Sequence, residues 1–194
     1  MAFIENTAFE ARITNNEFDE LCNITGKYKE STAFADCSAG LLCVRSAKLP
    51  CEGFTGVYNE NAWEMVAATD AATANDVIYA CNTYDVQYLA GRRGNRWAVG
   101  LETLGLGAPA GTYCTFTKVV FNGENVYRFG IGNVDGEIGE NTYFTIDDGL
   151  LVPAAAAPED NGALYFELRG TGNFVEGNQN SFGYVDVCPR RVVA

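Results

Sequence analysis

Beyond Lys27 the chain breaks into short runs rich in Val, Ile, Tyr, Phe and Thr, punctuated by glycine. Branched and aromatic side chains pack well across a pleated surface, and glycine supplies the positive φ of tight turns. Runs of this kind occupy residues 41–47, 62–67, 76–81, 86–89, 96–101, 112–121, 126–130, 142–146, 163–169 and 182–188. Alternation is clearest over residues 113–119. There Thr115, Thr117 and Val119 share one face and Cys114, Phe116 and Lys118 the other. Asn122-Gly123 ahead of Val126 signals a hairpin, and Asp135-Gly136 and Asp148-Gly149 repeat that turn chemistry. About ten short strands joined by turns predict an all-β fold, an antiparallel sandwich or barrel.

Residues 1–26 read differently. Thr14 followed three residues later by Glu17 is a capping-box pattern, and Phe18, Leu21 and Cys22 fall at helical spacing. A short N-terminal helix is therefore predicted over residues 15–23, closed by Gly26. The residues before it carry few turn signals and read as an extended arm, which at about 14 residues could reach roughly 45–50 Å. This divides the chain into an arm and helix over residues 1–26 and one β-rich domain over residues 27–194. Pro153 and Pro158 bracket an alanine-rich stretch that reads as a loop over residues 151–162, because proline interrupts helix and ladder alike.

The chain has no histidine, which removes the commonest general base, the Ser-His and Cys-His pairs and most nitrogen-ligated metal sites. A net charge of −12 argues against nucleic acid and anionic membrane as partners, since both repel an acidic surface. Paired carboxylates are the main catalytic device left. Asp147-Asp148, Glu137 and Glu140 all sit in glycine-rich turns with nothing to gather them in a cleft. Gly105-Leu106-Gly107-Ala108-Pro109-Ala110-Gly111 resembles a dinucleotide fingerprint only superficially, because Pro109 and the strand after it deny the loop a helix N-terminus. No catalytic residue and no cofactor are predicted.

The seven cysteines are an odd number, and the first residues lack the basic and apolar regions of a secretion signal. Reduced thiols in a protein folded in cytoplasm are the expectation. Cys37, Cys43 and Cys51 are separated by five and seven residues, which misses the short spacing of zinc knuckles. They read as buried thiols, with no metal, although a disulfide within the cluster stays open in an oxidising medium. Charge is segregated: six acids and no base lie between Leu49 and Gly91, and Arg92, Arg93 and Arg96 follow at once. That pattern fits complementary patches on neighbouring copies, or equally solvated acidic loops beside one basic turn.

Three segments resemble proteins encoded in the structural modules of tailed bacteriophages. They are Tyr28-Lys29-Glu30-Ser31-Thr32, Asn82-Thr83-Tyr84-Asp85-Val86, and the run from Trp97-Ala98-Val99-Gly100 to Gly107. The resemblance implies a non-enzymatic virion structural protein, a capsid decoration protein that binds and stabilises the phage head. Its partners would be the major capsid protein and copies of itself, with assembly in the bacterial host cytoplasm. On this reading residues 1–12 form the attachment arm, with Phe3, Ile4, Phe9 and Arg12 at the interface, while Arg92, Arg93 and Arg96 pair with an acidic neighbour. The alternative is a carbohydrate-binding β-sandwich using Trp63, Tyr79, Tyr84, Tyr88, Trp97 and Tyr113 as a stacking platform.

Overall fold

The structure, a computed structural model, describes residues 4, 6–13, 23–51, 56–69, 77–82, 107–121, 124–176 and 180–193. Its strands are β1 (Phe9–Ile13), β2 (Asn23–Glu30), β3 (Ala33–Phe34), β4 (Leu42–Pro50), β5 (Tyr58–Ala67), β6 (Tyr79–Cys81) and β7 (Cys114–Lys118). They continue with β8 (Val126–Gly130), β9 (Tyr143–Asp147), β10 (Leu150–Ala154), β11 (Leu164–Glu176) and β12 (Asn180–Arg191). The chain is all-β, as its residue pattern predicts.

The strands form two units. An open antiparallel sheet runs β1-β8-β12-β11-β9-β10. The other strands run β3-β2-β5-β4-β6-β7, and β7 pairs back onto β2, closing β2, β5, β4, β6 and β7 into a barrel. All barrel pairings are antiparallel except β2 with β5, where Thr25 to Tyr28 lie beside Ala62 to Met65 in parallel register.

The two units share a wall. Along β4 and the residue before it, Leu41 and Cys43 point into the barrel while Leu42 and Val44 point toward the open sheet. The lead-in to β6 behaves likewise, with Tyr79 and Cys81 inside the barrel and Ile78 and Ala80 against the sheet. Both faces of this wall are dry, so its sequence is continuously apolar rather than alternating. On the far side, Phe9, Phe129 and Phe166 form a chain of tilted and edge-on rings across the inner face of the sheet, with centroids 5.3 and 6.1 Å apart. Phe9 also stacks on Tyr127 at 5.8 Å.

Backbone hydrogen bonds fasten the units together. The Asp148-Gly149 turn joining β9 to β10 has positive φ at both residues, as its sequence predicts. Its Gly149 N–H donates to the Ala68 carbonyl at 2.8 Å and its carbonyl accepts from Leu42 N–H at 2.9 Å. A Cβ on Gly149 would lie 2.8 Å from the Leu42 carbonyl oxygen, so the turn can seat in the barrel wall only as glycine. Asn133, buried after β8, accepts from Ala8 N–H at 3.0 Å and donates to the Ala39 carbonyl at 2.8 Å. One amide thus ties β1, the sheet and the barrel.

Several expectations need correction. The helix predicted over residues 15–23 finds no support: Asn23 opens β2 and pairs with Thr117, and residues 14–22 lie outside the described part. The arm is no free arm over its second half. Residues 9–13 are β1, paired with β8, because Phe9 fits the aromatic core and is 1% exposed. The boundary drawn between residues 26 and 27 falls inside β2. No β7–β8 hairpin forms, since β7 pairs in the barrel and β8 in the sheet; residues 122–123 themselves lie outside the described part. The stretch 151–162 is not all loop. Leu150–Ala154 forms β10, and Pro153 is tolerated because β10 is an edge strand that needs no donor on its outer side. The strands predicted over residues 86–89 and 96–101 lie outside the described residues.

Two substitutions test this account. Phe9→Ala should cost about 3–5 kcal/mol, read as a shift in urea midpoint without a change in slope. Asn133→Ala leaves a buried N–H and a buried carbonyl unpaired and should cost about 2–4 kcal/mol in the same measurement.

Candidate functional site

The chemically distinctive feature of the molecule lies inside the barrel. Cys37, Cys43, Cys81 and Cys114 are free thiols, each no more than 2% exposed. The sulfurs of Cys37, Cys81 and Cys114 lie within 4.8 Å of one another. Cys43 belongs to the same buried cluster but lies outside this trio, and its S–H donates to the Leu41 carbonyl at 3.7 Å.

Strand pairing brings these residues together from distant parts of the chain. Cys114 opens β7 opposite Gly26 of β2. Cys81 closes β6, where its N–H donates to the Leu41 carbonyl at 3.0 Å and its carbonyl accepts from Gly40 N–H at 2.8 Å. Cys37 exchanges two backbone hydrogen bonds with Ala108, both 2.8 Å. Gly107, at φ +93°, permits that exchange, since a Cβ there would overlap the Cys37 carbonyl oxygen. Opposite the thiols, Gly26 brings β2 against the barrel interior: a Cβ on it would lie 2.6 Å from Met65 Cγ and 2.8 Å from the Trp63 carbonyl oxygen. Cys43, Cys81 and Cys114 are thus held on strands, and Cys37 by its bridge to Ala108.

The electrostatics follow from the geometry. The S–H groups of Cys37 and Cys81 converge on Cys114, and with the Tyr28 backbone N–H they bring the Cys114 thiol down to about 4 against the opposing effect of burial. Burial pushes Cys37 and Cys43 up, and the hydrogen bonds to Cys114 and Cys37 push Cys81 up. Burial also raises the Tyr28 phenol beside them. The other walls of this apolar interior are Tyr28, Leu41, Met65, Tyr79 and Phe116.

Sequence spacing had grouped Cys37 and Cys43 with Cys51. Cys51 is half-buried at the end of β4, where its N–H donates to the Val57 carbonyl at 2.7 Å, and it does not belong to the sulfur group. Cys81 and Cys114 do belong. Their signal was inward alternation on their strands, visible for Cys114 beside Phe116, but closure of the barrel was needed to gather them.

The interface residues expected from the sequence are scattered. Ile4 is half-buried and its N–H donates to Ser38 Oγ at 2.9 Å, which ties it to the barrel. Phe9 belongs to the core and cannot meet a partner. Arg12 lies in β1. Phe3, Arg92, Arg93 and Arg96 lie outside the described residues. Other bases are engaged within the chain. Arg128 makes a two-pronged contact with Asp186 at 2.8 and 2.7 Å while lying 3.5 Å from the Tyr184 ring centroid, and Arg190 and Arg169 both reach Glu167. Asp147 and Asp148 face solvent, as their turn position predicts.

The aromatics divide likewise. Tyr79 is core, and Tyr84, Tyr88 and Trp97 lie outside the described residues. Trp63 is half-buried, with the Arg45 guanidinium 4.8 Å and the Lys48 ammonium 5.6 Å from its ring centroid. Tyr113 and Phe34 are exposed at one rim of the barrel, 46% and 40% respectively, and Lys27 sits between them at 4.4 and 5.7 Å from the two centroids.

No protein-family model, no curated protein and no solved structure matches this chain.

Gly26→Ala tests the packing around the thiols. Its methyl must displace Met65 and strand β5, and the melting temperature should fall by an amount equivalent to about 1–3 kcal/mol.

Proposed function

We propose that the protein is a non-enzymatic structural component of a virion, a decoration protein that adheres to the head of a tailed phage. The observation that carries this reading is the rim at Phe34 and Tyr113. Two large rings stand in solvent around Lys27, and exposed aromatics flanking a cation are the side chains that anchor protein interfaces. Phe34 lies on β3, an edge strand paired only with β2 among the described strands, so the rim borders an open sheet edge. The fastening of barrel to sheet by Gly149 and Asn133 makes the body rigid, which suits a clamp across a capsid seam. A net charge of −12 keeps crowded particles soluble. The major capsid protein is the partner in this reading, and copies of this chain are the neighbours.

The attachment surface thus moves from the N-terminal segment, which is bound into the body from Ile4 to β1, to the barrel rim. Replacing both Phe34 and Tyr113 with Ser should lower occupancy on purified heads about tenfold or more at a fixed protein concentration, with the melting temperature nearly unchanged. Undiminished occupancy would reject the rim. Binding to a glycan array in place of heads would reject the virion reading itself.

A further inference from the structure

We propose that the barrel interior is a zinc site, in which Cys37, Cys43, Cys81 and Cys114 hold one Zn²⁺ that locks the barrel shut. The geometry is close to what the ion requires. Tetrahedral zinc with bonds near 2.3 Å to sulfur places its ligands roughly 3.8 Å apart, so three sulfurs already within 4.8 Å need only a small inward movement. Cys43 lies outside that trio, with its S–H on the Leu41 carbonyl, and has to turn its sulfur toward the trio to supply the fourth corner.

The donor set selects the metal. The chain has no histidine, and no carboxylate is buried among the described residues, so a hard, oxygen-seeking cation is poorly served here. Four thiolates in a dry pocket suit a soft or borderline cation and a closed, structural site with no open coordination position. On binding, every sulfur still protonated releases its proton to solvent, and Zn²⁺ with four thiolates leaves the site at net −2. The Tyr28 backbone N–H directed at Cys114 offsets part of that charge.

Position in the fold explains what the ion would do. The ligands come from the lead-in to β4, from β4 itself, from the end of β6 and from the start of β7. β6 is three residues long and β7 five, and they are the strands through which the barrel closes on β2. A metal bridging them to β4 replaces ladder hydrogen bonds that such short strands cannot supply. The inference concerns the interior of the barrel and stands whether or not the protein decorates a capsid.

The test uses the full chain, produced and purified under reducing conditions without added chelator. Metal analysis should find about one zinc per chain. Adding Co²⁺ to chelator-stripped protein with reductant present should give the strong sulfur-to-cobalt charge-transfer absorption and the visible bands of a tetrahedral tetrathiolate site. Cys81→Ser or Cys114→Ser should lower bound zinc at least tenfold, whereas Cys51→Ser should leave it unchanged. Chelation should lower the melting temperature of the parent protein by several degrees, restored by zinc. If the serine variants fail to fold, the cobalt spectrum of the parent chain decides. Absence of bound zinc together with a featureless cobalt spectrum would overturn the proposal. So would a disulfide between any two of Cys37, Cys81 and Cys114 in protein kept reduced throughout.

Discussion

The architecture rests on one wall buried on both faces. Leu41 to Val44 at the start of β4, and Ile78 to Cys81 leading through β6, send alternate side chains into the barrel and toward the sheet, and neither side meets water. A strand in that position cannot be amphipathic, because a polar residue on either face would lose its hydration without a partner. Leu41-Leu42-Cys43-Val44 and Ile78-Tyr79-Ala80-Cys81 satisfy the requirement with continuous apolar runs. Two hydrophobic clusters therefore share one wall, and disturbing it reaches both. The bonds of Gly149 and Asn133 across the join then set where the sheet sits on that wall.

The barrel interior is narrow, and its contents follow from that. Five strands enclose less space than a filling of leucine and phenylalanine would need, so the inward positions alternate large residues with small ones. Cysteine is the small residue used at four of them, and Gly26 and Gly107 allow backbone to approach where even a methyl would collide. The zinc site we propose draws on the same residues that this packing places there. Serine would fill the volume equally well but binds no zinc and would need hydrogen-bond partners in an apolar interior.

Much of the fold was legible in the chain, and the failures have physical causes. Strands with strong alternation or dense apolar content, such as β4, β8, β9 and β12, were readable because burial periodicity is a local property. β1 was missed because it is short and broken by Glu10 and Arg12, and the place of Phe9 depends on a gap beside Tyr127 and Phe129 far along the chain. β10 was hidden by Pro153, which forbids a central strand but not an edge. Asn122-Gly123 misled because turn chemistry reports a reversal, not which sheet the departing strand joins. In the thiol cluster, spacing favoured Cys51 over Cys81 and Cys114, since closeness in sequence says little about closeness across a barrel.

Composition and local pattern alone determined that this chain is β-rich, acidic, without imidazole chemistry and dependent on glycine at tight turns, because each of those is a property of single residues or near neighbours. Only the tertiary structure decided that the strands split into a closed barrel and an open sheet, that the N-terminal segment is sewn into the sheet, and that four cysteines from three separate stretches share one buried interior. Those outcomes depend on pairings between strands many residues apart, and the free energy that selects among such pairings belongs to the assembled core rather than to any one segment.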